Sequence, residues 1–331
     1  MRFLLYSGLL TYCFLLLHSN QVLALEATSL LTEFSYSYKN APRKVPVKIY
    51  YPTDTNTKDI PIIILSHGLG GTREIGTYLG DTWAQNGFVV VAIQHDGSDR
   101  GIFLGKKRSE YMRTLKAAIS IESYLKRVED VTATIDQITQ WNEDKSHPLY
   151  GMININKIGM SGHSFGAITT QVTSGQWSPI TGQKFTDKRI KAAFVMSPSI
   201  PNIKGKPSPE AAKKAFAKVE IPWLLMTGTR DHSTITPEVD VTTRTKVYEN
   251  LPLGDKYQLI LDGATHMSFS DRTPSRPKHR NPDHHIAIKT ISTAFFQAYL
   301  NNGAGAEKAK EWLKSDAVKG VLSKSDSWEK K

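Results

Sequence analysis

The feature that most constrains this chain is a recurring short, continuous apolar run. Residues 60–65 read IPIIIL, 88–93 read FVVVAI, 157–160 read KIGM, 192–196 read AAFVM, 222–226 read PWLLM and 257–261 read YQLIL. Runs of this length without polar alternation indicate strands covered on both faces. An earlier stretch, 45–51, alternates as a half-exposed strand would. Between the runs lie helical stretches at about 73–86, 123–141, 165–175 and 237–250. Strands alternating with helices predict an α/β fold: a mainly parallel central sheet with helices on both faces. No linker interrupts the pattern, so residues 25–331 are expected to form a single domain. Its last long helix, about 283–300, is expected to pack Ile286, Ile288, Ile291, Phe295 and Phe296, with a polar tail from Asn301 that wraps the domain or frays.

Residues 1–24 are set apart. Arg2 precedes a 15-residue apolar run, and the segment ends Val22-Leu23-Ala24. This is the pattern of a signal peptide with a small-residue cleavage site, and the run is shorter than the roughly 20 residues that span a bilayer. The expectation is an exported protein, periplasmic or extracellular, with no stable membrane span after cleavage. Cleavage would also remove Cys13, the only cysteine, so stability would come from packing and not from disulfides. The net charge of +11 is spread along the chain, with one small cluster at Lys106-Lys107-Arg108. No nucleic-acid motif accompanies it. A solvated basic surface is the simplest reading, and an anionic lipid or polymer surface the alternative.

Four loops concentrate the chemistry. Gly162-His163-Ser164-Phe165-Gly166 follows a predicted strand and opens a predicted helix. That is the setting of a nucleophile elbow, where a serine sits on a tight turn and glycines at −2 and +2 leave room for it. His67-Gly68-Leu69-Gly70-Gly71 follows the 60–65 strand, where a loop can supply one oxyanion N–H; the other would come from the residue after the nucleophile. The donors are thus Leu69 and Phe165. Asp231 follows the 222–226 strand and His266 the 257–261 strand. The order Ser164, Asp231, His266 is that of a Ser-Asp-His hydrolase built on such a sheet. Asp262, Asp240 and Asp255 are weaker candidates for the acid, and His95 and Asp96 are expected to be structural. His279, His284 and His285 look like a metal cluster, but adjacent histidines on a helix point in different directions, so a solvated loop or helix start is expected.

These residues carry a family resemblance. The chain resembles the α/β-hydrolase superfamily, and more closely the platelet-activating-factor acetylhydrolase and bacterial predicted dienelactone hydrolase group. The resemblance runs through 66–70 (SHGLG), 86–90 (NGFVV), 95–98 (HDGS), 162–166 (GHSFG) and 266–271 (HMSFSD). It implies an α/β-hydrolase fold and an esterase with a serine nucleophile and oxyanion donors at Leu69 and Phe165. The chain has no GxGxxG turn with a downstream ribose acid, no Walker loop and no HExxH, so no cofactor or metal is expected, and the lid is expected to be small or lacking. In the lipid-hydrolysing animal members the acid follows the strand after the elbow helix. Here that place reads Met196-Ser197-Pro198, and Asp231 takes the position used by dienelactone and polyester hydrolases. True dienelactone hydrolases use a cysteine nucleophile, where this chain has serine.

The expected function is an exported serine hydrolase of carboxylic esters, short-chain acyl or acetylated lipid-like. A polyester or cutin-type hydrolase is one alternative, and a non-catalytic binding protein on the same fold another. Only 24 residues separate Met196 from Ile221, too few for a large lid. Residues 97–107 hold Ile102-Phe103-Leu104 beside the basic cluster. These apolar residues are expected to pack onto the domain, with a lipid-facing or site-covering loop as the alternative.

Overall fold

The computed structural model describes residues 25–54, 57–203, 206–271 and 281–331. The expected signal peptide, Cys13 and His279 lie outside these.

Strands β1 (Ala27–Tyr38) and β2 (Ala41–Pro52) form an antiparallel hairpin. Its two-residue turn, Lys39-Asn40, has both residues at positive φ, which matches the right-handed twist of the flanking strands. The chain then runs through β3 (Ile60–Ser66), α1 (Thr77–Gln85), β4 (Val89–Ile93), α2 (Tyr111–Ala118) and α3 (Ile121–Glu143). It continues with β5 (Ile153–His163), α4 (Phe165–Thr173), β6 (Ile190–Met196), the small hairpin β7 (Asn202–Ile203) and β8 (Lys206–Pro207), and α5 (Pro209–Phe216). Last come β9 (Trp223–Arg230), α6 (Val241–Asn250), β10 (Lys256–Thr265), α7 (Pro282–Leu300), α8 (Ala304–Lys314) and β11 (Ser327–Lys330).

The main sheet has nine strands in the order β1-β2-β4-β3-β5-β6-β9-β10-β11. The six from β4 to β10 are parallel, and antiparallel strands close both edges. Successive side chains of a strand point to opposite faces. Ile63 and Leu65 therefore join α1 and α7, while Ile60, Ile62 and Ile64 meet Val131, Ile135 and Ile138 of α3. Across the same sheet, Ala193 and Val195 meet α4, α5 and α6. Both faces are covered, which is why these strands read as unbroken apolar runs. Among the described residues between β6 and β9, α5 packs inward, burying Ala212, Ala215 and Phe216 against the sheet.

Two features differ from the sequence expectation, and a third decides between two expected outcomes. Strand β1 was not legible as an apolar run, because as an edge strand it buries only Phe34 and Tyr38. Ile286 is 50% exposed and not packed. The buried stripe of α7 runs through Ile288, Ile291 and Phe295, and Ile286 is 200° away from Ile288 around a helix of 100° per residue. The tail wraps and does not fray. It forms α8 and then β11, which pairs with β10, and Trp328 stacks on Tyr257 at 5.6 Å.

Trp83 ties α1 to both the sheet and α7. It is fully buried, donates to Ser292 Oγ at 3.1 Å, and meets Phe194 and Phe296 edge-on. Replacing it by Ala should lower unfolding free energy by about 3–5 kcal/mol, read from a urea or guanidinium titration; a loss below 1 kcal/mol would mean that the packing around it closes the cavity.

Candidate active site

Strand β5 ends at His163 and α4 begins at Phe165, so Ser164 alone makes the turn. Its backbone lies at φ 58° and ψ −114°, a conformation that costs a non-glycine residue of order 1–3 kcal/mol. The flanking glycines are steric requirements. A Cβ on Gly162 would meet the Gly166 carbonyl oxygen at 2.3 Å, and one on Gly166 would meet the Ser66 carbonyl oxygen at 2.0 Å. The second contact seats the turn directly on the end of β3.

Three loops bring the sequence candidates together. His266 Nε2 lies 2.9 Å from Ser164 Oγ, and His266 Nδ1 lies 2.7 Å from Asp231 Oδ1. Asp231 is fully buried. Its other oxygen accepts from Ser197 Oγ at 2.6 Å and from Thr227 Oγ1 at 3.0 Å. Arg244, also buried, lies 3.1 Å from Asp231 Oδ1 and donates to the carbonyls of Asp231, Ser197 and Pro198. Burial opposes ionisation of Asp231. The hydrogen bond to His266, the Arg244 charge and the Ser197 hydroxyl outweigh it and hold the carboxyl well below the usual range. Arg244 Nη2 also approaches His266 Nδ1 at 3.2 Å. Arginine only donates, and Nδ1 needs its own proton for Asp231, so the short carboxylate contact sets the tautomer: Nδ1 carries hydrogen and Nε2 faces the serine.

The loop after β3 passes alongside the serine, with Gly68 so close that a Cβ there would sit 3.3 Å from Ser164 Cβ. The Gly68 carbonyl is held from two sides, by Gly71 N–H at 3.0 Å and by His67 Nδ1 at 2.7 Å. In a trans peptide the next N–H points the opposite way, so these bonds fix the direction of the Leu69 amide. Phe165 is the first residue of α4, and an amide there has no partner inside the helix. The Leu69 and Phe165 side chains share an apolar cluster with Tyr124, Ile168 and Phe185.

Behind this loop lies a second, sealed array. Arg127 of α3 donates to Ser66 Oγ, Ser98 Oγ, Thr169 Oγ1 and the His67 carbonyl, and stacks 4.6 Å over the Phe165 ring. Ser66 Oγ is 2.9 Å from His95 Nε2, and His95 Nδ1 is 2.9 Å from Asp130. Arg43 grips Asp130 in bidentate fashion, and the Tyr36 hydroxyl adds a third donor. This Ser-His-Asp chain is buried throughout and cannot meet a substrate. His95 N–H donates to His67 Nε2, which leaves the His67 proton on Nδ1, facing the Gly68 carbonyl. His95 is thus structural. Asp96 is exposed and lies 3.7 Å from Arg43.

The remaining candidates are engaged elsewhere. Asp240 caps α6, Asp255 pairs with Lys314, and Asp262 accepts from Thr229. His284 and His285 donate to the carbonyls of Asp262 and Ser268. In the 97–107 loop, Phe103 turns inward, meeting Gly70 and Tyr111, whereas Leu104 points to solvent. Inward packing thus holds for only part of that apolar trio. Two concavities of about 530 and 540 Å³ lie against the β1–β2 hairpin and α3, and neither is lined by Ser164, Asp231 or His266.

Sequence reasoning missed Arg244, Ser197, Arg127 and Asp130. A signal existed for three of them. Arg244 sits on the stripe of Val247, Tyr248 and Leu251, and Arg127 and Asp130 on the stripe of Tyr124, Val128 and Val131. A charge on an apolar stripe calls for buried partners.

The comparisons with known proteins bear on this arrangement. A family model described as "Platelet-activating factor acetylhydrolase, isoform II" matches residues 22–102. The platelet-activating factor acetylhydrolase of Bos taurus is 29% identical over 137 residues, which cover 33% of this chain and 30% of the bovine protein. That of Cavia porcellus is 25% identical over 180 residues, or 47% of this chain and 38% of the relative. Cutinase 2 of Thermobifida cellulosilytica is 25% identical over 255 residues, or 77% of this chain and 73% of the relative. The chain thus spans about a third of the length of the bovine acetylhydrolase but most of the cutinase. With the nine-stranded sheet and helices on both faces, these similarities identify the α/β-hydrolase fold.

The site also carries a cost in acid. His67, His95 and His163 are buried and neutral, chiefly because burial disfavours their charged forms; His163 is pushed down to about 3. In the unfolded chain each would protonate near 6.5, so the unfolded state binds more protons below that pH. Stability should therefore decline as pH falls from about 6.5 toward 3, by up to about 1.4 kcal/mol per pH unit for each histidine. Urea midpoints at pH 7.5, 6 and 5 measure this, and His163→Gln should give a shallower decline; an unchanged slope would remove His163 as a contributor.

Proposed function

We propose that the protein is an exported serine hydrolase of carboxylic esters, with Ser164 as nucleophile, His266 as general base and acid, and Asp231 as the orienting carboxylate. The observation that carries this reading is the continuous line Asp231–His266–Ser164, with contacts of 2.7 and 2.9 Å, ending on a serine in strained backbone. His266 Nε2 takes the Ser164 proton as Oγ attacks the ester carbonyl carbon. The resulting oxyanion accepts from the amides of Leu69 and Phe165. Collapse breaks the bond to the alcohol oxygen, which leaves with the proton from His266. Water, deprotonated by the same nitrogen, then attacks the acyl-enzyme and releases the acid and Ser164. Asp231 stabilises the imidazolium formed in each half without itself taking the proton.

The substrate favoured is a short-chain acyl or acetylated lipid-like ester, in keeping with the acetylhydrolase similarity and with the inward packing of α5 between β6 and β9. A polyester or cutin-type substrate is the second reading, favoured by the carboxylate on β9 and by the length of the cutinase match.

Hydrolysis of p-nitrophenyl acetate and butyrate tests the chemistry. Ser164→Ala should lower kcat/KM by at least about 10³-fold, and Asp231→Asn by about 10³- to 10⁴-fold. A fluorophosphonate should label the parent and not Ser164→Ala. Equal weak rates in parent and Ser164→Ala, with no labelling, would favour a non-catalytic binding protein. Soluble product released from a polyester film faster than from short-chain esters would favour the second reading.

A further inference from the structure

The segment from residue 100 to residue 121 combines exposed apolar side chains with basic ones. It begins with a 3-10 turn (Arg100–Phe103), passes a second (Arg108–Glu110) and continues into α2. Within it stand Arg100, Lys106, Lys107, Arg108, Arg113 and Lys116 against a single acid, Glu110. The same segment exposes large apolar side chains: Leu104 at 81%, Ile121 at 60%, Ile119 at 45% and Met112 at 43%.

Helix α2 sharpens the point. Tyr111, Met112, Leu115, Ala118 and Ile119 occupy one stripe of an amphipathic helix, with Arg113 and Lys116 off it. Such a stripe normally faces a core, yet no residue of α2 is buried. An eight-residue helix has little stability of its own and depends on contacts along its apolar face. Here those contacts are few. Phe103 packs on Tyr111 with ring centres 4.4 Å apart, and Phe103 and Leu115 both reach Gly70, within 3.0 and 3.2 Å of where its Cβ would stand. Two backbone bonds, Gly70 N–H to Ser98 and Arg100 N–H to Gly71, tie the start of the segment to the same loop. The segment therefore sits on the loop that carries Leu69, at the edge of the candidate site.

We infer that residues 100–121 form a docking surface for an anionic phospholipid bilayer. The observations carrying it are an amphipathic helix whose apolar stripe is only partly covered, further exposed apolar residues on both sides of it, and a strong local excess of positive charge. Met112, Ile119, Ile121 and Leu104 enter the boundary between headgroups and acyl chains, while the lysines and arginines meet lipid phosphates. An uncharged polymer would accept the apolar side chains but offer nothing to the basic ones. The inference draws on the proposed ester chemistry only in placing the surface beside that site.

Vesicle co-flotation tests it, using vesicles of pure phosphatidylcholine and of phosphatidylcholine with 30 to 40 mole per cent phosphatidylglycerol. Binding is measured in the Ser164→Ala background, so that it does not depend on hydrolysis. The parent should bind the anionic vesicles and bind more weakly as salt rises from about 50 to 500 mM. The combined Leu104→Ser, Met112→Ser and Ile119→Ser variant should bind at least tenfold more weakly, and so should the separate Lys107→Gln, Arg108→Gln variant. Both sets, placed in the Ser164-containing protein, should hydrolyse soluble p-nitrophenyl butyrate within twofold of the parent, which shows that the fold and the site are intact. All forms share the same N-terminus, so residues 1–24 cannot produce a difference among them. Absence of parent binding to anionic vesicles, equal binding to neutral ones, or full binding by both variants overturns the inference. An inactive parent in the soluble assay would overturn the proposed chemistry; the fold of the variants is then read from circular dichroism and urea midpoints matching the parent, and the vesicle result stands.

Discussion

Much of the site rests on one backbone contact. The turn after β5 and the end of β3 approach so closely that Gly166 has no room for a methyl group beside the Ser66 carbonyl. Adjacent parallel strands put the two loops side by side, with Ser66 opposite Gly162 in register. Only glycine lets them touch at the level of the serine. The strained backbone of Ser164 is then held by the packing on either side of it, and the loop after β3 has a rigid neighbour.

Two buried guanidinium groups extend that rigidity outward. Arg127, from α3, ties together the loops after β3 and β4; Arg244, from α6, gathers those after β6 and β9. Taking an arginine out of water is costly unless its donors are satisfied. Burial pushes Arg127 down to about 9, which still leaves it charged at neutral pH. Each arginine offsets the cost by donating to several carbonyl or hydroxyl oxygens. The loops are irregular in sequence but have firm anchors in the helices beneath them. A planar fork can hold several acceptors at once, which a lysine cannot do.

What was legible in the sequence follows from these physical facts. The central strands could be read because burial on both faces leaves no polar alternation: residues 60–65 and 88–93 announce themselves. Strand β1 could not, since an edge strand answers mostly to solvent. Strand β11 is four residues long and took its place only through pairing with β10, information held far away in the chain. At the site, Ser164, Asp231 and His266 were legible because each sits just beyond a strand, in a fixed order. Arg244 and Ser197 were harder to find because their roles arise from convergence in space. Their nearest sequence signals were a charge on an apolar stripe and a serine at a strand end.

Ser197 has a consequence for how such sites diverge. It stands at the end of β6, and its hydroxyl lies 2.6 Å from the carboxylate that follows β9. Two neighbouring strands thus deliver side chains to one point in space, and a histidine has no means of telling which strand its carboxylate grows from. A carboxylate at either strand end would reach the same histidine. The histidine need not move and the serine need not change. The side chain at the end of β6 is then free to be a hydrogen-bond donor, as Ser197 is, because the neighbouring strand supplies the charge.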